Sequence, residues 1–107
     1  MYSPIFLKTE NELNKVLKSQ KKTKEDLSIL FISLWDNCSE TILKRISNNK
    51  RFRRTPQSKP LYVVDSFTMP HAFVIFKTTK IPHLVQFKRG SIESEDYLSK
   101  IYETLGL

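Results

Sequence analysis

Apolar and polar residues come in blocks along this chain, and each block carries its own period. Ile5–Lys8 is a short apolar run that suits an edge strand. Thr9 and Glu12 have capping-box spacing, in which a hydroxyl and a carboxylate satisfy free N–H groups at a helix start. Leu13, Val16 and Leu17 continue as one helical stripe, and Lys18, Lys21, Lys22 and Lys24 read as its solvated, cation-rich end. Leu27–Trp35, LSILFISLW, is apolar, β-rich and bounded by polar residues, the pattern of a central strand buried on both faces. Asn37 with Glu40 repeats the N-cap pattern ahead of Ile42, Leu43 and Ile46. Cys38 is therefore expected in the first turn of a helix that follows a central strand.

Residues 48–60, NNKRFRRTPQSKP, read as a polar loop, and Leu61–Val64 as a second buried strand. Pro70 suits a first helical turn. Residues 72–76, AFVIF, fit two elements: β-branched and aromatic content favours a strand, while the preceding proline and the Ala72/Ile75 and Phe73/Phe76 pairs favour a short helix. Leu84–Phe87 is a further strand. Ser94 is placed to cap an acidic first turn, Glu95-Asp96, of a helix with Tyr97, Leu98, Ile101, Tyr102 and Leu105 on its apolar face and Gly106 as its stop. The order β-α-β-α-β-(α or β)-β-α predicts a layered α/β domain with right-handed parallel connections.

Composition narrows the class. A length of 107 residues implies one domain spanning 1–107. One cysteine excludes an internal disulfide framework and a Cys-rich zinc site, which points to a reducing, cytoplasmic compartment. No run of ~18 apolar residues predicts a membrane span, and the opening MYSPIFLKTENEL has no signal-peptide pattern, so no membrane partner is expected. Phe, Tyr, Met, Ile, Asn and Lys outnumber Gly, Ala, Arg and Pro by 40 to 13, a skew that follows AT-rich codons and points to a low-GC bacterium, its phage or a similar genome. The net charge is +7. Residues 41–64 hold Lys44, Arg45, Lys50, Arg51, Arg53, Arg54 and Lys59 with no acid. The final residues reverse this, with Lys100 against Glu93, Glu95, Asp96 and Glu103.

The chain resembles the thioredoxin superfamily. The residues that carry the resemblance are Trp35 at the end of a central strand leading into Cys38, the strand LYVVD at Leu61–Asp65, Ile81-Pro82 before a strand, and Phe87-Lys88-Arg89-Gly90 after it. Cys38 lies 44 residues before Pro82, where the family has its nucleophilic cysteine. The implied fold is α/β and thioredoxin-like, a central mixed sheet of about four strands flanked by helices. Gly90 to Ser94 leaves little room for the family's last hairpin strand. The resemblance also implies a cis peptide at Ile81-Pro82, with the backbone of Ile81 left to pair with an extended peptide.

Departures from the family pattern decide the chemistry. Cys38 is followed by Ser39, Glu40 and Thr41 in place of Gly-Pro-Cys, so no resolving cysteine is present. The family's buried aspartate falls at Ile32 or Ser33. Cys38 is the one catalytic candidate: helix N–H groups and the dipole favour its thiolate, while Asp36 and Glu40 oppose it. Without a second cysteine its chemistry is monothiol, through mixed disulfides with a protein or glutathione. His71 and His83 read as solvated or core-edge residues, and no cofactor or metal is called for. The primary reading is a thioredoxin-like protein that has lost dithiol catalysis and binds a protein partner, through Trp35, Ile81 and Pro82 and through the basic loop of Lys50, Arg51, Arg53 and Arg54. That loop suits an acidic protein surface. The alternatives are a monothiol redox protein using Cys38 and a nucleic-acid-associated module, in which the arginines of residues 50–54 bridge phosphates and Phe52 stacks on a base.

Overall fold

The computed structural model describes residues 2–48, 59–78, 80–89, 91–97 and 99–105. Thr9 caps the first helix as its spacing predicts: the Glu12 N–H donates to Thr9 Oγ1 at 3.2 Å, and Thr9 Oγ1 donates to Glu12 Oε1 at 3.4 Å. The elements are β1 (Tyr2–Phe6), α1 (Glu10–Thr23), β2 (Leu27–Ile32), α2 (Asn37–Asn48), β3 (Lys59–Asp65), α3 (Pro70–Ile75), β4 (His83–Lys88), β5 (Ser91–Tyr97) and α4 (Ser99–Leu105). The strands form one sheet in the order β1-β3-β2-β4-β5. β3 runs parallel to both β1 and β2, β4 antiparallel to β2, and β5 antiparallel to β4. This is the mixed sheet that the resemblance implies, with five strands.

β2 lies at the centre and is buried along its whole length. Alternate residues point to opposite faces, so one strand feeds two cores. Leu30 and Ile32 pack with Leu61, Val63 and Leu84 beneath Ile42 and Ile46 of α2 and Ile101 and Leu105 of α4. Ile29 and Phe31 pack with Val64 and Val85 beneath Leu13 of α1, Met69 at the cap of α3 and Ala72 within it. Residues 72–76 thus resolve in favour of the helix, with Pro70 at its start. Phe73 and Phe76 turn inward onto Phe31 at ring-centre distances of 5.2 and 5.1 Å.

Two expectations are corrected. Ser94 does not cap a helix. Residues 91–97 form the hairpin strand β5, Ser94 Oγ donates to Gln86 Oε1 at 3.0 Å, and the helix starts at Ser99. Tyr97 belongs to that strand, and Leu98, Gly90 and Gly106 lie outside the described residues. The physical reason is position. An edge strand needs no apolar alternation, and charges on it discourage pairing with other chains. The second correction concerns Leu34 and Trp35. They were expected inside a buried strand, but β2 ends at Ile32 and both side chains stand in solvent. Among the described residues no helix is long and apolar enough to cross a membrane.

Candidate functional site

The turn from β2 into α2 is built on short polar side chains. Ser33 Oγ accepts from the Trp35 N–H at 3.3 Å. Ser39 Oγ accepts from the Ser33 N–H at 3.2 Å and donates to Asp36 Oδ2 at 3.0 Å. The Ser39 N–H donates to the same carboxylate oxygen at 2.8 Å, and Asp36 O accepts the first helical bond, from the Glu40 N–H at 3.0 Å. Asp36 is therefore the N-cap of α2, and Asn37, the expected cap, is the first helical residue. The sequence signal was present: aspartate is among the preferred N-cap residues, and Asp36 directly precedes the helical run that starts at Asn37. The carboxylate occupies the positive end of the helix. Asp36→Ala is expected to cost about 1–2 kcal/mol by thermal denaturation, and a loss under ~0.5 kcal/mol would show that the cap holds nothing.

This turn sets Leu34 and Trp35 at the end of the sheet, where three elements meet. The Leu34 N–H donates to Asp65 Oδ1 at 3.2 Å, and the Ser66 N–H to Ile32 O at 3.0 Å, which ties the ends of β2 and β3 together. Phe31 pairs with His83, which brings the start of β4 beside the end of β2. The Ile81-Pro82 peptide at that point is cis. Trp35 is 83% exposed, Leu34 61% and Phe67, two residues beyond Asp65, 74%. Trp35, Ile81 and Pro82 thus sit at one end of the sheet. Phe67 is a further member that sequence reasoning missed, since a lone aromatic in a turn carries no periodic signal. Asp65 Oδ2 is buried without a hydrogen-bond partner among the described residues.

Cys38 is exposed in the first turn of α2. It shares a cleft of about 220 Å³ with Asn37, Thr41, Ile42 and Tyr102. The Arg45 guanidinium lies 5.0 Å over the Tyr102 ring, a cation–π contact that holds the α4 side of this cleft. Lys50, Arg51, Arg53 and Arg54 lie outside the described residues.

His83 also departs from expectation, since the sequence predicts solvated or core-edge positions for both histidines. It is 1% exposed, whereas His71 is exposed. Burial pushes His83 below the ordinary histidine value, and the neighbouring Glu95 and Asp96 carboxylates pull it the other way.

No protein-family model matches the chain, and no curated protein sequence does. Solved structures do match. Thioredoxin O1 from Arabidopsis thaliana, in the oxidized state, superposes with a TM-score of 0.75 at 16% identity, over 97% of this chain and 93% of that one. Thioredoxin O2 from the same plant gives 0.68 at 23% identity over 96% and 94%, and thioredoxin NaTrxh from Nicotiana alata 0.74 at 14% over 99% and 90%. The fold of this chain is that of thioredoxin, and its single cysteine leaves it without the Cys-x-x-Cys pair.

Proposed function

We propose that this chain binds a protein partner at the sheet end formed by Leu34, Trp35, Phe67 and Ile81-Pro82, and that it has no dithiol–disulfide activity. The observation that carries the reading is the exposure of Trp35 beside Leu34 and Phe67. Tryptophan is the residue type most enriched among binding hot spots, and an apolar cluster held out of the core by a hydrogen-bonded turn is preorganised for contact. The partner is an extended segment with acidic side chains. The chain carries +7, and Lys77 and Lys80, both exposed, lie in the connection that leads to Ile81-Pro82.

The test is selection of peptides from a random displayed library on the wild-type chain, with affinities then measured on variants. Trp35→Ala is expected to weaken a selected peptide by about 30-fold or more, the effect of a hot spot worth ~2 kcal/mol, with the melting temperature little changed. Peptides that bind the variant equally well would sink the reading. The exposure of Cys38 favours one second reading, monothiol exchange, in which its thiolate attacks a partner's disulfide and releases a thiol. Cys38→Ser separates the two: peptide binding survives it under the first reading and is lost under the second.

A further inference from the structure

His83 is a buried titratable group that the binding reading leaves unused, and three pieces of the fold close around it. Its Nδ1 lies 3.0 Å from Thr78 Oγ1, in the connection between α3 and β4. Its Nε2 lies 3.2 Å from Glu95 Oε1 on β5, close enough for charge attraction but off the line of a hydrogen bond. Tyr97 of β5 stacks on the ring at 4.5 Å and 8°, and Phe31 of β2 lies at 5.7 Å and 29°. The groups that face the imidazole are thus Phe31 from β2 and Thr78 from the connection, neither of which titrates near neutrality. From β5 they are Glu95, Asp96 and the Tyr97 phenol. Asp96 Oδ2 already accepts from Thr104 Oγ1 of α4 at 2.7 Å.

The Thr78 contact matters because of what Thr78 holds. Its N–H donates to Phe73 O at 2.8 Å, which anchors it to α3. The bond to His83 therefore pins the connection to the first residue of β4, next to Pro82. With the ring neutral, the Glu95 carboxylate favours the hydrogen on Nε2, and Nδ1 accepts from the Thr78 hydroxyl. An added proton takes the Nδ1 position. The hydroxyl must then turn to accept, its own hydrogen loses this acceptor, and a full charge is left where almost no water reaches it. Admitting water relieves that state. The surface connection yields more easily than the β2–β4 ladder.

We propose that protonation of His83 opens the α3–β4 connection at Thr78 and Ile81-Pro82 and so releases a partner held there. The inference rests on the reading that this end of the sheet binds a partner. The direction of the His83 shift agrees with it. A histidine held below its ordinary value in the closed form takes up its proton more readily once opened. The closed form has its full stability above the ordinary value of ~6.5 and loses it as pH falls from there through the lowered value.

The experiment uses the full chain and two readouts. Amide hydrogen exchange at Thr78, whose N–H is bonded to Phe73 O, corrected for intrinsic rates, is expected to speed up about tenfold or more between pH 7.5 and the His83 transition, and less than about twofold in His83→Gln. Glu95→Gln keeps the test decisive where His83→Gln fails to fold: loss of the counter-charge should move the transition to lower pH, and an unmoved transition overturns the proposal. Equal acceleration in wild type and His83→Gln overturns it too. In the second readout, a peptide selected on the wild type at pH 7.5, and dependent on Trp35, should weaken about fivefold or more across the same transition. A pH-independent affinity overturns the coupling and leaves the binding face standing. A peptide indifferent to Trp35→Ala overturns the binding reading and the release of a partner with it, while the exchange readout still decides whether His83 opens the connection.

Discussion

In the variant Thr41→Cys we expect a disulfide between positions 38 and 41, and catalysed reduction of insulin by dithiothreitol where the wild type gives none above background. Positions 38 and 41 are three apart in the first turn of α2, so they lie on one helix face, and both side chains line the same cleft. The α-carbon spacing of such a pair falls within the range a disulfide spans. The substitution removes only an exposed hydrogen bond, from Thr41 Oγ1 to Asn37 O at 2.9 Å. The intramolecular thiol then resolves each mixed disulfide formed at Cys38, at an effective concentration far above that of any free thiol. A gain of about tenfold over background is the expected scale, short of a full reductase. Neither Ile32, buried in the core, nor Ser33, whose hydroxyl already accepts from Trp35, takes the proton that a buried carboxylate would. Equal insulin reduction by the wild type would show that the missing cysteine is not what limits the chemistry.

Phe31→Ala is expected to bring the largest loss of stability. The ring is fully buried and touches Phe73, Phe76 and His83. A buried Phe→Ala change costs about 3–5 kcal/mol, a large part of the ~5–15 kcal/mol that holds a domain of this size together. The melting temperature should fall by more than roughly 12 °C. α3 has six residues and is too short to stand without packing, so it should detach first. Phe31→Leu keeps most of the volume and should lose far less. A loss under ~1 kcal/mol for the alanine variant would show that α3 is held by something other than this ring.

The two buried strands and the capped first helix were legible in the sequence because each rests on a local rule. β2 and β3 are apolar runs that a central position demands, and Thr9 with Glu12 is a capping box realised in the hydrogen bonds. Pro70 marked a helix start, and the cis peptide at Pro82 came from the resemblance. β5 was hidden because its sequence, SIESEDY, carries the charges of an edge strand and mimics an acidic helix start. The end of β2 was hidden because Leu34 and Trp35 extend the apolar run unbroken. What ends the strand is a turn of Ser33, Asp36 and Ser39, whose bonds reach across six residues. The burial of His83 could not be read locally at all, since Tyr97, Glu95 and Phe31 come to it from two other strands.

The binding face is tested most directly by mapping amide chemical shifts of the chain as a library-selected peptide is titrated in. Perturbations concentrated at Leu34–Asn37, Ser66–Thr68 and Lys80–His83 are the predicted result. Perturbations concentrated on the lysine-rich end of α1, or on the outer edge of β5, with Trp35 and Ile81 unmoved, would contradict it.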